Sequence, residues 1–164
     1  MTDTLLDERR LVSRVLRHWQ EMALGRDLPS KDHFDPWLIG DDWSYCMLLS
    51  LGSEGSAPTF LTVGAKLLPS DDAWSARPIH ECPAGTIPAA MLAQVERCVA
   101  EARPLNLSGG VFHLGKEVLF RALLMPLSGD GDRVDGIFGA ANFRGMEGGE
   151  KDQLDRIVVQ SIED

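Results

Sequence analysis

The feature that most constrains the fold is a pair of apolar, strand-forming runs in the last third of the chain. Val118–Met125 and Val134–Phe143 flank Pro126–Arg133, a loop rich in glycine and aspartate. Bulky residues on both sides of Gly, Asp and Ser are typical of an antiparallel β-hairpin. Neither run alternates cleanly between apolar and polar residues, so we expect other parts of the chain to cover both faces of this sheet.

Amphipathic segments can provide these covers. Residues 1–25 are predicted to form a helix because apolar residues recur at helical spacing, namely Leu5, Val12, Val15, Leu16, Trp19, Met22 and Ala23. Pro88–Ala102 is predicted as a second, long helix, whose proline stands where a missing N–H costs little. Residues 149–164 are predicted as a terminal helix, since Leu154, Ile157, Val158 and Ile162 fall on one side of it.

Three more strands are expected before the hairpin. Ser44–Leu51 and Thr59–Leu68 form a predicted strand pair, and Gly64 indicates a bulge or a close backbone approach. Leu105–Leu114 is the third strand. The chain therefore predicts a single α+β domain over residues 1–164, in which five antiparallel strands have helices inserted between the second and the third. The N-terminal amphipathic helix is free to cover the opposite face.

The net charge of the chain restricts its partners. Acidic residues outnumber basic ones and give a net charge of −9, whereas phosphate backbones and anionic lipid surfaces attract clustered Lys and Arg. We therefore expect no nucleic-acid and no membrane partner. The three cysteines show no CxxC pairing, and no apolar run has the length of a signal peptide or a membrane span. These features indicate a cytoplasmic protein with free thiols.

Three phrases of the sequence resemble a family of stand-alone bacterial PAS domains: GRDLPSKDHFDP, FLTVGAKLL and FRALLMPLSGDGDRVDGIFGA. The predicted order of two strands, short helices, a long helix and three strands is similar to that of the PAS fold. The resemblance implies a PAS core over residues 44–143 between two flanking helices. It also implies a non-catalytic sensory or regulatory module of signal transduction, which contacts a protein such as a kinase or cyclase and requires no cofactor.

PAS domains bind small ligands between the sheet and the long helix, so the resemblance places a cavity there. The residues that could line it are Trp74, Met91, Val95, His113, Arg121 and Phe138. Arg121 either binds an anionic ligand or pairs with an internal carboxylate such as Asp135. PAS domains also pair through flanking helices, which implies a homodimer interface formed by Val12, Val15, Leu16 and Trp19.

Two alternative functions stay open at this point. His80 and Cys82, which precedes a proline, could ligate haem iron and make the chain a cofactor sensor, although a loop with a buried thiol also explains them. A small enzyme with a cone-shaped α+β pocket is the other alternative, and a helix between strands two and three disfavours it. The sequence contains no G-x-S-x-G or H-E-x-x-H motif, so we assign no catalytic residue and no metal ligand.

Overall fold

The computed structural model describes residues 2–23, 28–33, 40–52, 57–69 and 74–162, with the side chains of the first helix from Leu11 onward. Its helices are α1 Thr2–Met22, α2 Ile87–Leu92 and α3 Val95–Glu101; its strands are β1 Cys46–Ser50, β2 Thr59–Val63, β3 Leu105–His113, β4 Lys116–Leu127, β5 Gly136–Gly145 and β6 Ile157–Ser161. The predicted end of the first helix at residue 25 lies outside the described residues. Within these ranges, no helix combines the length and the apolar character that crossing a bilayer requires.

The strands form one open antiparallel sheet in the order β2-β1-β5-β4-β3-β6. β4 and β5 are the predicted hairpin, and they pair from Val118 opposite Gly145 to Leu127 opposite Gly136. The α+β class is therefore confirmed. The sheet has six strands rather than the predicted five.

Both faces of the hairpin are covered. On one side, which we call the helix face, α2, α3 and the segment before them enclose a core that includes Phe60, Trp74, Met91 and Phe120. On the other side, which we call the α1 face, the first helix packs mainly on β4 and β5. The core there contains Leu11, Val15, Trp19, Leu123, Met125 and Phe138. Because successive side chains of a strand point to opposite faces, neighbours in β4 belong to different cores.

The predicted C-terminal helix over residues 149–164 is wrong. Lys151–Gln153 form a single 3₁₀ turn, and Ile157–Ser161 form β6, which pairs with the edge of β3. The β-branched residues that open β6 favour an extended conformation. Gly109 of β3 also admits this neighbour, because a Cβ there would collide with the carbonyl oxygen of Arg156. The sixth strand therefore forms because the free edge of β3 pairs with a segment that favours an extended conformation.

The predicted long helix Pro88–Ala102 is interrupted. α2 and α3 are separated by a turn at Ala93 and Gln94, and α3 ends at Ala102, which has a left-handed backbone conformation with φ 51°. The second predicted strand is also shorter than expected, since β2 ends at Val63 and a turn follows Gly64. Leu67 and Leu68 in that turn are fully buried on the helix face.

Candidate functional site

The six predicted cavity residues do not share one cavity. Trp74, Met91, Val95 and His113 lie on the helix face of the sheet, whereas Phe138 belongs to the α1 core and Arg121 lies on the α1 face. The separation follows from the strand period of two: Arg121 stands between Phe120 and Ala122, both of which belong to the helix-face core. The prediction that Arg121 and Phe138 line a cavity beneath the helices is therefore wrong.

Among the described residues, large side chains occupy the space between the sheet and the helices. Phe60 and Trp74 meet edge to face with their ring centroids 5.7 Å apart. Met91 and Met47 approach Gly139 so closely that a Cβ on this glycine would lie about 3 Å from their methyl groups. The Nε1 of Trp74 is buried and has no hydrogen-bond acceptor in the described part of the chain.

His113 has a structural role that uses both of its ring nitrogens. Its side chain is buried, and its Nδ1 accepts a hydrogen bond from the backbone N–H of Ile87 at 3.0 Å. Since that partner can only donate, Nε2 carries the ring proton and donates to the carbonyl oxygen of Lys66 at 3.1 Å. Burial lowers the pKa of His113. The imidazole therefore joins the end of β3 to the start of α2, and neither nitrogen is free to act as a base or a ligand.

The two residues considered as haem ligands lie in a surface loop. His80 is exposed in a short 3₁₀ turn, and Cys82 is half-buried with its sulfur 3.7 Å from the hydroxyl of Thr86. Burial raises the pKa of the Cys82 thiol, which disfavours the thiolate that iron would require. In the portion of the chain that the structure describes, no group of three His, Cys, Asp or Glu side chains could hold a metal ion.

The three cysteines are expected to differ sharply in reactivity. Cys46 and Cys98 are buried, and burial raises the pKa of both thiols, that of Cys98 to about 12. We expect an aromatic disulfide reagent to modify only Cys82 in the folded protein and all three thiols after denaturation. Cys82→Ser should abolish the native reaction. Modification of Cys98 at the rate of Cys82, measured by peptide mass spectrometry, would contradict this burial.

The predicted interface residues divide into two pairs. Val15 and Trp19 are buried in the α1 core, and the indole Nε1–H of Trp19 donates to the carbonyl oxygen of Pro126 at 3.0 Å. Both side chains are thus used within the chain and are not displayed to a partner. Val12 and Leu16 are only half-buried and pack at the margin of the α1 core, and Val12 also lines a groove with Asn106 of β3 and with Ile162. An interface formed by these two residues stays a prediction.

A groove runs between α1 and the β3–β4 part of the α1 face. It has a volume of about 300 Å³, and we call it the Arg121 groove; its lining residues are Val12, Ser13, Asn106, Arg121, Leu123 and Ile162. Arg121 is half-buried and pairs in register with Ser108 on β3 and Asn142 on β5. The groove thus combines one guanidinium, neutral polar groups and aliphatic walls.

Arg121 has no hydrogen-bond or ion-pair partner among the residues that the structure describes. The carboxylate considered as its partner, Asp135, lies at the far end of the hairpin, where its Oδ2 accepts a hydrogen bond from the backbone N–H of Gly129 at 3.1 Å. The predicted pairing of Arg121 with Asp135 is therefore wrong. Sequence reasoning identified Arg121 but missed Ser13, Asn106 and Ile162, because only the folded chain brings them together.

The β3–β6 half of the α1 face is open to solvent. We call its residues the open strip: Asn106, Ser108, Phe112, Val158 and Gln160. Phe112 is 44% exposed and Val158 is 55% exposed. The strip adjoins the Arg121 groove, since Val158, Ser108 and Arg121 form one cross-strand row.

This chain matches no protein-family model, and no curated protein matches its sequence significantly. The function is therefore argued from the chain's own geometry.

Proposed function

We propose that this chain is a non-catalytic regulatory module of the PAS type that acts through protein–protein contacts, first of all with a second copy of itself. Two strands precede α2 and α3 and four follow them, and without β6 this order is the one expected from the family that the chain resembles. The first helix packs on the face opposite α2 and α3. β6 is an addition to this pattern.

The observation that carries the proposal is the incomplete cover on the α1 face. α1 packs on β4 and β5, while the open strip beside it exposes Phe112 and Val158. Val12, which is half-buried, lines the adjoining groove with Asn106 of the strip, and Leu16 is half-buried one helical turn further along α1. The strip thus presents two exposed apolar side chains among polar ones beside an amphipathic helix, and a second protein surface can cover such a strip.

The state of the potential nucleophiles and bases also supports a non-catalytic role. Both nitrogens of His113 are engaged with backbone groups. Burial raises the pKa of Cys46, Cys82 and Cys98, so these thiols are poor nucleophiles near neutral pH. The module would then pass a signal by changing its contacts, for example with a kinase or cyclase.

Glutamate at both Val12 and Leu16 is expected to weaken self-association at least tenfold, because two charges would be desolvated in the interface. Sedimentation velocity over a range of concentrations measures the dimer dissociation constant of the native chain and the variant. Leu61→Glu with Leu114→Glu is the matched control, since both leucines are exposed and belong neither to the open strip nor to the groove lining. Circular dichroism establishes that each variant is folded.

Two results would remove self-association from the proposal. One is a native chain that stays monomeric up to about 100 μM, well above the range of stable dimers. The other is a control variant that dissociates as readily as the Val12 and Leu16 variant, which would place the contact elsewhere on the surface.

A further inference from the structure

We propose that the Arg121 groove is a binding site for a small aliphatic carboxylate. The site lies beneath α1, on the sheet face opposite the space where PAS domains hold their ligands. This inference does not depend on self-association, because the groove is formed within one chain by α1, β3, β4 and the residue after β6.

The guanidinium of Arg121 is the first reason. Arg121 is half-buried against aliphatic side chains and has no acceptor in the described part of the protein. No nitrogen of Arg121 is among the buried polar atoms that lack a partner in the described residues, so the guanidinium is accessible to an acceptor that enters the groove. A carboxylate matches the planar fork of an arginine and can accept two parallel hydrogen bonds from it.

The remaining lining defines the rest of the ligand. Val12, Leu123 and Ile162 form aliphatic walls next to the guanidinium. Asn106 and Ser13 add an amide and a hydroxyl, which can donate to a second carboxylate oxygen or to a polar substituent. A volume of about 300 Å³ is at the lower limit for small-molecule sites and suits a short chain.

Charge favours a monoanion over phosphate. The lining has one cationic side chain, and the chain as a whole carries a net charge of −9. A dianionic phosphate would keep a negative charge in the groove after pairing with Arg121, and it would leave the aliphatic walls without a partner. A monocarboxylate is neutralised by the single guanidinium, and its hydrocarbon tail covers the walls.

Such a ligand would also hold α1 to the sheet. Val12 and Ser13 come from the helix, Asn106 and Arg121 from the sheet, and the ligand contacts both groups. A ligand that binds only the native state raises the free energy of unfolding, with the logarithm of its free concentration once this exceeds Kd. The groove therefore couples the presence of the carboxylate to the position of the helix that borders the open strip.

The test uses butanoate, hexanoate and octanoate with the isotopically labelled full chain. We expect amide NMR shifts at Asn106, Arg121 and Leu123, and an affinity that rises roughly three- to fourfold per added methylene until the groove is filled. Arg121→Gln should weaken octanoate binding roughly 10- to 100-fold, because the hydrogen bonds to a charged group are lost. It should not lower the urea midpoint, since Arg121 has no partner within the described residues.

Arg17→Gln is the matched control. Arg17 is exposed on α1 and is not part of the groove lining, yet its replacement changes the net charge by the same amount. Octanoate affinity should be unchanged in this variant. Octanol and inorganic phosphate separate the two halves of the ligand, and each should bind at least tenfold more weakly than octanoate.

Several outcomes would overturn the inference. If millimolar octanoate shifts no amide signal of the groove residues, the site is excluded. If Arg121→Gln and Arg17→Gln lose the same octanoate affinity, the binding depends only on net charge. Phosphate that binds as tightly as octanoate, or affinities that ignore chain length, would exclude the aliphatic class. Because the groove shares Val12 and Asn106 with the proposed contact surface, the titrations are made at a protein concentration where sedimentation shows a monomer, so that the site and the dimer can fail separately.

Discussion

Replacing Gly64 with alanine is expected to lower the free energy of unfolding by about 3 kcal/mol or more. A Cβ at Gly64 would lie 2.6 Å from the carbonyl oxygen of Trp43 and still closer to the carbonyl group of Ser44. Backbone cannot move aside as a flexible side chain can. The shift would disrupt the hydrogen bonds from Gly64 N–H to the Cys46 oxygen, at 2.7 Å, and from Lys66 N–H to the Ser44 oxygen, at 3.0 Å.

Gly145→Ala is the matched control for this prediction. Gly145 also ends a strand, but a Cβ there meets nothing within 4 Å. Its replacement should leave stability within about 1 kcal/mol of the native value and can raise it slightly by restricting the unfolded chain. Urea unfolding followed by tryptophan fluorescence measures both variants. Equal midpoints for Gly64→Ala and Gly145→Ala would disprove the close approach at the start of β1.

The position of Gly64 shows what the sequence can predict well. A glycine inside an otherwise bulky strand pattern indicates that another backbone comes close, and that reading needs no knowledge of the partner. The hairpin β4–β5 could be predicted equally well from the sequence, because two long apolar runs around a Gly/Asp loop are a local pattern. The same apolar runs predicted that each face of the hairpin is covered. In the structure α1 covers one face, and α2 and α3 cover the other.

The C-terminal strand shows where local reading fails. Leu154, Ile157, Val158 and Ile162 fit the spacing of a helix, yet Ile157–Ser161 pairs with β3. Five extended residues gain their hydrogen bonds from a strand some fifty positions earlier in the sequence, and no local window contains that information. The β-branched composition was the available signal, and the helical period outweighed it in the prediction.

The prediction of the cavity residues was partly wrong for a related reason. Alternation along β4 separates Arg121 from Phe120 and Ala122, which the sequence alone could have indicated. The sheet face on which α1 packs depends on tertiary packing. The proximity of Asn106, Ile162 and Val12 depends on it as well, and on the register of the strands. The sequence could therefore identify an arginine that needs a partner, but not the groove in which it stands.

Replacing His113 with leucine is expected to lower the free energy of unfolding by about 2–5 kcal/mol at neutral pH. Leucine fills much of the same space, but it leaves the N–H of Ile87 and the carbonyl oxygen of Lys66 without their buried partners. The variant also loses the edge-to-face contact with Phe143, whose ring centroid is 4.7 Å from that of the imidazole. His80→Gln is the control, since His80 is exposed.

The same residue should make stability depend on pH. Burial lowers the pKa of His113 in the folded protein, so its contribution is fully present above the unfolded value of about 6.5. As the pH falls below that value, the unfolded chain takes up a proton that the folded imidazole resists, and stability decreases by up to about 1.4 kcal/mol per pH unit. The decrease ends once the pH passes the lowered pKa of the folded state.

Asp130 and Glu150 titrate below this window. Backbone N–H groups of Arg133 and Asp132 hold the pKa of Asp130 at about 2, and the guanidinium of Arg144 holds that of Glu150 at about 2. Their contributions are present above the unfolded carboxyl pKa of about 4 and are lost only below it. Urea unfolding between about pH 7.5 and pH 5 therefore avoids these two carboxylates. We expect the native chain and His80→Gln to lose stability over this range and His113→Leu to lose clearly less. A flat profile for the native chain would mean that His113 stabilises the fold by packing alone. It would contradict a neutral imidazole that is hydrogen-bonded to backbone groups through both ring nitrogens.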